Sequence, residues 1–162
     1  YLHCAAKIIK QNGGEITAYD GDRVMAVFLG DSKEDYAVDA ALQLSYALDE
    51  IINPEFSALY TTLHRQLRHT VGIDAGTVLV SKTGVRIDSD LVWVGPAANY
   101  AAKLNSFVGL DSDYPIRITQ EVFAALSRTY LVGSANEPMW EGPYSNFDPR
   151  IHYRTKFRSS FS

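Results

Sequence analysis

The sequence predicts an α+β domain in which an antiparallel sheet is covered by helices on one face. Short apolar, β-prone runs alternate with helical stripes, a strong hairpin signal joins two of the runs, and no repeat or low-complexity tract interrupts them. The chain has 162 residues, which fits one domain rather than two. Its composition, 46% hydrophobic and 21% charged, excludes a disordered or collagen-like chain.

Charge and cysteine content exclude further classes. The formal net charge of −4 and the lack of a long basic run argue against a dedicated nucleic-acid-binding protein. The single cysteine, Cys4, excludes an internal disulfide framework and a Cys-rich zinc site, and it fits a cytoplasmic location. No apolar run approaches the roughly 20 residues that span a membrane, and the start carries no signal-peptide pattern.

The first predicted elements are a helix and a hairpin. A helical stripe runs from Tyr1 to about residue 11 with no capping residue and no Met before it, so we expect the natural chain to be longer at its N-terminus. Two β-prone runs follow, at 15–19 and 23–29, and only Asp-Gly-Asp separates them. This spacing predicts a hairpin with Asp20 and Asp22 at its tip.

Two helical segments are predicted next. Asp31 and Glu34 form an N-terminal capping pattern for a helix that extends to about residue 51. Pro54 then predicts a break or kink. A second helix is expected over residues 56–67.

The second half of the chain is predicted to contain most of the sheet. Residues 69–74 and 77–82 have the pattern of two strands paired across Ala75-Gly76. The other elements expected from the same signals are a strand at 91–94, a helix at 96–107, a strand at 116–118, a helix at 121–126 that Thr119 caps, and a strand at 151–157.

Three segments resemble the class III nucleotidyl cyclases and occur in that family's order. Residues 14–28 are similar to its strand–Gly-Asp–strand hairpin, residues 71–78 to its Ile-Gly-Ile-x-x-Gly turn, and residues 94–104 to its Gly-x-x-x-Asn-x-Ala-x-Arg-Leu helix. The resemblance implies a ferredoxin-like, βαββαβ-type fold. It also implies that residues 1–162 form a single cyclase catalytic domain that lacks its N-terminal strand and helix.

Within that family the sequence resembles the bacterial pyrimidine cyclases of Pycsar antiphage signalling. The similar segments are 19–28, 93–104 and, loosely, 151–161. The resemblance implies conversion of UTP, or alternatively CTP, into the 3′,5′-cyclic monophosphate and pyrophosphate. The product would act as a second messenger on a separate effector during phage infection.

Asp22 is the predicted metal ligand. From the residues alone, an Asp beside a Gly in a hairpin is a turn former. The resemblance matches Asp22 to the second of the family's two metal-binding aspartates, which hold two divalent ions, Mn²⁺ or Mg²⁺. The first aspartate is then expected upstream of Tyr1.

Asn99 and Lys103 are the predicted catalytic pair, four residues apart on one helix face. The resemblance implies that the Asn orients the ribose and that a cation stabilises charge on the α-phosphate in the transition state. Lys103 stands where purine cyclases have Arg, so it keeps the charge and loses the bidentate fork. Whether another cation helps is left open, and a solvated surface lysine is the alternative interpretation.

The predicted base pocket departs from the purine cyclases. Ala18 and Val92 stand where those enzymes have their purine-reading side chains, so the partners for a purine edge are absent. Tyr19 is large enough to shorten the pocket, which favours a pyrimidine. The alternative for Tyr19 is an ordinary cross-strand aromatic.

Family members form a head-to-tail homodimer with shared active sites, so Asp22 is expected to act with Asn99 and Lys103 of the partner subunit. Two other functions stay open: an adenylate cyclase with an atypical base pocket, and an inactive cyclase-like domain that senses nucleotide or dimerises.

Asp74 is expected to be structural. The basic tail is interpreted as the wet face of an edge strand, with approach to a triphosphate or a partner subunit as the alternative; its residues are Arg150, Arg154, Lys156 and Arg158.

Overall fold

The computed structural model describes residues 1–62, 65–85, 88–106, 113–146 and 150–161. Within these ranges the helices are α1 (Leu2–Gln11), α2 (Lys33–Tyr46), α3 (Asn53–Leu59), α4 (Pro96–Asn105) and α5 (Gln120–Ala125). The strands are β1 (Glu15–Asp20), β2 (Arg23–Val27), β3 (Val71–Ile73), β4 (Leu79–Val85), β5 (Asp88–Val94), β6 (Ile116–Thr119), β7 (Glu141–Tyr144) and β8 (His152–Thr155). None of the described helices is long and apolar enough to cross a membrane.

The central sheet has four strands in the order β3-β6-β8-β7. Strand β3 runs parallel to β6, with Val71 opposite Ile116, whereas β8 is antiparallel to both β6 and β7. The sheet is therefore mixed rather than wholly antiparallel as the sequence predicts. Strands β1 and β2 form one antiparallel hairpin, and β4 and β5 form another.

The main core lies between α2 and the central sheet. Ile116 and Ile118 of β6 are fully buried and pack with Val38 and Leu42 of α2. A smaller cluster joins α1 to α2 through residues that include Ile8. Because α2 contributes to both clusters, it connects the sheet to the helix that precedes the β1-β2 hairpin.

The predicted pairing of residues 69–74 with 77–82 is wrong. Strand β3 pairs with β6, and β4 pairs with β5 through a register that places Leu79 opposite Val94. Strand β6, the parallel partner of β3, lies more than forty residues away, so their pairing produces no local pattern in the sequence. Ala75-Gly76, in contrast, has the local pattern of a turn.

The predicted helix at 56–67 is wrong in its bounds, and Pro54 does not break the helix. A π-helical segment, Ala47–Ile52, joins α2 directly to α3, and Pro54 lies in the first turn of α3. That position tolerates its missing N–H. Residues 65–70 lie in no helix. The buried Asn53 side chain instead holds Leu67, donating to its carbonyl at 3.1 Å and accepting from its N–H at 2.8 Å.

The C-terminal tail is not an edge strand, contrary to the sequence interpretation. Strand β8 lies between β6 and β7, and His152, Tyr153 and Thr155 are buried. The alternating basic residues that suggest a wet strand face instead lie at the ends of β8 or, as Arg154 does, pair with Glu141 of the neighbouring strand at 3.1 Å.

A half-buried histidine, His69, links the first residue to α2. Tyr1 Oη lies 2.7 Å from Nδ1 of His69, and Ser45 Oγ lies 3.0 Å from Nε2. Ser45 donates its own proton to the carbonyl of Ala41, so it accepts from Nε2–H, and Nδ1 is left to accept from the Tyr1 hydroxyl. Burial lowers the pKa of His69 from 6.5 to about 4, although the charge of Asp49 acts in the opposite direction.

We expect this histidine to make folding pH-dependent. Above pH 6.5 both folded and unfolded states hold a neutral imidazole; as the pH falls towards 4, only the unfolded state takes up the proton. The free energy of unfolding should therefore decrease over that window, by up to roughly 1.4 kcal/mol per pH unit. Urea unfolding at pH 7, 6 and 5 measures the slope.

His69→Gln should flatten the pH dependence between pH 7 and 5 relative to the wild type. His3→Gln is the matched control, because His3 is exposed on α1. An equal slope in the wild type and in His69→Gln would contradict the assignment.

Candidate active site

The β1-β2 hairpin presents Asp22 to solvent. Strand β1 ends at Asp20 and β2 begins at Arg23, so Gly21 and Asp22 form a two-residue turn, and Gly21 adopts a positive φ of 60°. Asp20 pairs with Arg23 at 3.1 Å. Asp22 is exposed at the hairpin tip.

The three predicted base-pocket residues lie on two neighbouring elements. Ala18 and Tyr19 are adjacent on β1, so they point to opposite faces of the strand, and β5 with Val92 lies against β1. Tyr19 is 57% exposed and Val92 is 38% exposed. Tyr19 lies opposite Val24 in the hairpin register, so the interpretation as a cross-strand aromatic stays open.

Helix α4 carries Asn99 and Lys103 on one face. Gly95 caps the helix, and its carbonyl accepts from the N–H of Asn99 at 3.2 Å. Both Asn99 and Lys103 are exposed. Lys103 Nζ lies 5.1 Å from the centroid of the Tyr100 ring, one turn earlier on the helix.

The packing of α4 on β3 fixes where this face points. A Cβ built on Gly72 would lie 2.2 Å from the carbonyl oxygen of Ala101 and 2.7 Å from the amide nitrogen of Asn105. Only glycine allows the helix backbone to approach the strand this closely. Gly72 of the Val-Gly-Ile segment is therefore needed for α4, the helix that carries the candidate catalytic pair, to pack against β3.

A cleft of about 1400 Å³ separates the hairpin from β3 and α4. Ala18 and Asp22 line it on the hairpin side, and Ala98 and Ala102 line it on the α4 side. Neither Asn99 nor Lys103 lines the cleft. With 3.6 residues per turn, each lies about 100° around α4 from the alanine that precedes it. The structure thus places Asn99 and Lys103 about one turn apart on α4. Of the predicted site residues, Ala18 and Asp22 line the cleft, whereas Tyr19, Val92, Asn99 and Lys103 do not.

Donors for a metal ion are incomplete in the described part of the chain. Within those residues no group of three or more His, Cys, Asp or Glu side chains could hold an ion. Asp22 has the hard carboxylate oxygens that Mg²⁺ and Mn²⁺ prefer, and its exposure beside the cleft leaves them accessible. Asp22 fits as one ligand of a site whose other ligands come from elsewhere.

A buried ion pair lies beside α4, and sequence reasoning did not find it. Arg150 Nη1 donates to Oδ2 of Asp74 at 2.7 Å, and the Asp74 side chain is fully buried. Burial raises the pKa of Asp74, while the Thr119 hydrogen bond and the Arg150 charge oppose the shift. The two residues are 76 positions apart, so no spacing in the sequence signals the pair.

Curated relatives match the chain over most of its length. A uridylate cyclase from Xanthomonas perforans is 46% identical over 159 residues, which cover 98% of this chain and 67% of the relative. A uridylate cyclase from Burkholderia cepacia is 48% identical over 127 residues, which cover 78% of this chain and 53% of the relative. The chain thus spans between half and about two thirds of the length of these relatives. No protein-family model matches it.

Solved cyclase structures share the fold. The guanylyl cyclase Cya2 matches with a TM-score of 0.76 at 21% identity, over 98% of this chain and 78% of that one. The adenylyl cyclase CyaB from P. aeruginosa matches with a TM-score of 0.76 at 22% identity, over 96% and 78%. These likenesses confirm the predicted α+β cyclase fold, and the sequence relatives identify the family. The chain belongs to the bacterial uridylate cyclases, nucleotide cyclases whose domain has the class III fold.

Proposed function

We propose that the protein converts UTP into 3′,5′-cyclic UMP and pyrophosphate, with CTP as the second candidate substrate. The observation that carries the proposal is the 46% identity, over 98% of the chain, to a relative named uridylate cyclase. The exposed Asp22, Asn99 and Lys103 support it, because each has the chemistry that cyclisation of a nucleoside triphosphate needs.

In this reaction the ribose 3′-oxygen attacks the α-phosphorus as its proton leaves. The bond from the α-phosphorus to the bridging oxygen breaks, and pyrophosphate departs. Asn99 orients the ribose, and the Lys103 ammonium stabilises the charge that builds on the α-phosphate. Divalent Mn²⁺ or Mg²⁺ ions, with Asp22 as a ligand, would lower the pKa of the attacking hydroxyl and neutralise the triphosphate. A second aspartate upstream of Tyr1 would complete the donor set.

The proposed preference for a pyrimidine base depends on the polar groups that the predicted base pocket lacks. Ala18 and Val92 offer no polar group to a purine edge, so a purine would leave its donors and acceptors unpaired. Tyr19 is exposed on the face of β1 opposite Ala18, so its ring would shorten the site only where that face meets the base.

The site would be completed by a second copy in a head-to-tail homodimer. Asp22 lines the cleft, whereas Asn99 and Lys103 do not. One chain then contributes its metal ligand to one site and its catalytic pair to the other. In the cell we propose a cytoplasmic enzyme whose cyclic nucleotide signals to a separate effector during phage infection.

The first test incubates the full-length protein with Mn²⁺ and each of ATP, GTP, CTP and UTP, and identifies the products by mass spectrometry. We expect cyclic UMP as the main product. Asp22→Asn should reduce its formation by roughly 100-fold or more, since a metal ligand is lost. Asp20→Asn is the matched control on the same hairpin and should retain activity.

Three outcomes would contradict the proposal in different ways. Cyclic AMP as the main product would indicate an adenylate cyclase with an atypical base pocket. The absence of any product from a folded dimer would indicate an inactive, nucleotide-sensing domain. Equal activity in Asp22→Asn and the wild type would remove Asp22 from the metal site.

Base selection is tested by Tyr19→Leu. Loss of the ring and the hydroxyl should lower the ratio of kcat/KM for UTP over ATP by roughly 10-fold or more. Tyr36→Leu is the matched control, because Tyr36 is 50% exposed on α2 and Tyr19 is 57% exposed. An unchanged ratio in Tyr19→Leu would assign base selection to other residues.

The shared site is tested by mixing two inactive variants, Asp22→Asn and Asn99→Ala. A heterodimer of these chains has one intact site, so random pairing should restore roughly a quarter of wild-type activity. The same mixture of Asp22→Asn with a double variant, Asp22→Asn and Asn99→Ala, has no intact site and should stay inactive. Failure of the first mixture to recover activity, with subunit exchange verified, would place the whole site in one chain.

A further inference from the structure

The Asp74–Arg150 ion pair closes one edge of the central sheet. Asp74 directly follows β3, Thr119 ends β6, and Arg150 lies two residues before β8. Because β3 and β6 are parallel and β8 is antiparallel to them, these three positions meet at the same edge. The carboxylate of Asp74 accepts from Thr119 Oγ1 at 2.6 Å, from the N–H of Ala75 at 2.9 Å and from Arg150 at 2.7 Å.

This arrangement fixes the guanidinium of Arg150 against α4. The Asp74 side chain has 0% exposure and accepts three hydrogen bonds, so its orientation is determined by its surroundings. The Arg150 guanidinium carbon lies 4.0 Å from the centroid of the Tyr100 ring, which is stacking distance. Tyr100 follows Asn99 directly and precedes Lys103 by one turn of the helix.

We propose that the Asp74–Arg150 pair is a positioning device for catalysis: through the Tyr100 ring it holds the turn of α4 that carries Asn99 and Lys103. The inference rests on the proposed function, since it assigns a role towards the same reaction. Asp74 neutralises the charge of Arg150, so the pair adds little net positive charge to the site. Its contribution is orientation, and Lys103 remains the cation that faces the phosphate.

The position of the charged group depends more on surrounding contacts for a lysine than for an arginine. An ammonium on a flexible four-carbon stem lacks the rigid fork of a guanidinium, so its placement depends on what the stem and head contact. Lys103 Nζ lies 5.1 Å from the centroid of the Tyr100 ring that Arg150 holds. One ring thus limits the positions available to the catalytic cation.

The test compares kcat and KM for cyclic UMP formation in Tyr100→Leu, Arg150→Gln and the double variant. Each single change should lower kcat by roughly 10- to 100-fold and change KM by less than about threefold, because a misplaced group weakens the transition state selectively. The kcat of the double variant should be no lower than that of the less active single variant, because both changes disrupt the same arrangement. Tyr100→Phe keeps the ring and should retain near wild-type kcat.

Arg158→Gln is the matched control. Arg158 is also a tail arginine with two acidic partners, Asp49 at 3.2 Å and Glu50 at 2.8 Å, but those partners lie in the π-helical segment away from α4. This variant should leave kcat unchanged. Tyr100→Leu leaves the Asp74–Arg150 pair in place, so it keeps the test valid if Arg150→Gln fails to fold.

Three results would overturn the inference. A raised KM with unchanged kcat in Arg150→Gln would mean that Arg150 binds the substrate itself. Additive effects in the double variant would mean that Arg150 and Tyr100 act separately, and wild-type kcat in Tyr100→Leu would remove the ring from the device. Hydrogen exchange of residues 97–105 gives a readout without activity: exchange should be faster in Tyr100→Leu. If the wild type forms no cyclic nucleotide, the proposed function fails and the catalytic role of the pair fails with it; the exchange then shows only whether the Tyr100 ring holds α4.

Discussion

The close approach of α4 to β3 is the constraint on which the candidate site depends. At Gly72 the helix backbone occupies the space that a side chain would need, with Ala101 and Asn105 nearest to the strand. That contact fixes how α4 lies on β3. Ala98 and Ala102 of the helix line the cleft, and Asn99 and Lys103 lie about 100° further around it. A single glycine in a strand thus helps to set the direction in which the predicted catalytic pair faces.

Local signals in the sequence predict local structure well. The Asp-Gly-Asp tripeptide predicts the β1-β2 hairpin, and the Gly-Pro dipeptide predicts the start of α4, because each signal acts within a few residues. The pairing of β3 with β6 could not be predicted in this way. Its partners are Val71 and Ile116, whose attraction comes from burial in a common core and produces no pattern in the residues between them.

The same distinction applies to the candidate site. Exposure of Asp22, Asn99 and Lys103 follows from a hairpin tip and a helix face, both visible in the sequence. The link from Asp74 to Arg150 joins positions 76 residues apart and exists only because β3, β6 and β8 end at one edge. Sequence reasoning treats Asp74 as structural and Arg150 as one of several tail cations, and only the three-dimensional structure connects them to the helix that bears Lys103.

The proposed sharing of each site between two chains has a consequence for regulation. If each chain holds only half of each site, activity requires association, and the active fraction depends on the concentration of the chain and on any nucleotide that bridges two copies. A substrate bound between Asp22 of one chain and Lys103 of the partner subunit contacts both chains and therefore stabilises the dimer that it needs. Substrate binding and dimer formation are then linked equilibria, and by reciprocity each strengthens the other by the same factor. Such an enzyme would respond to its own abundance as well as to its substrate.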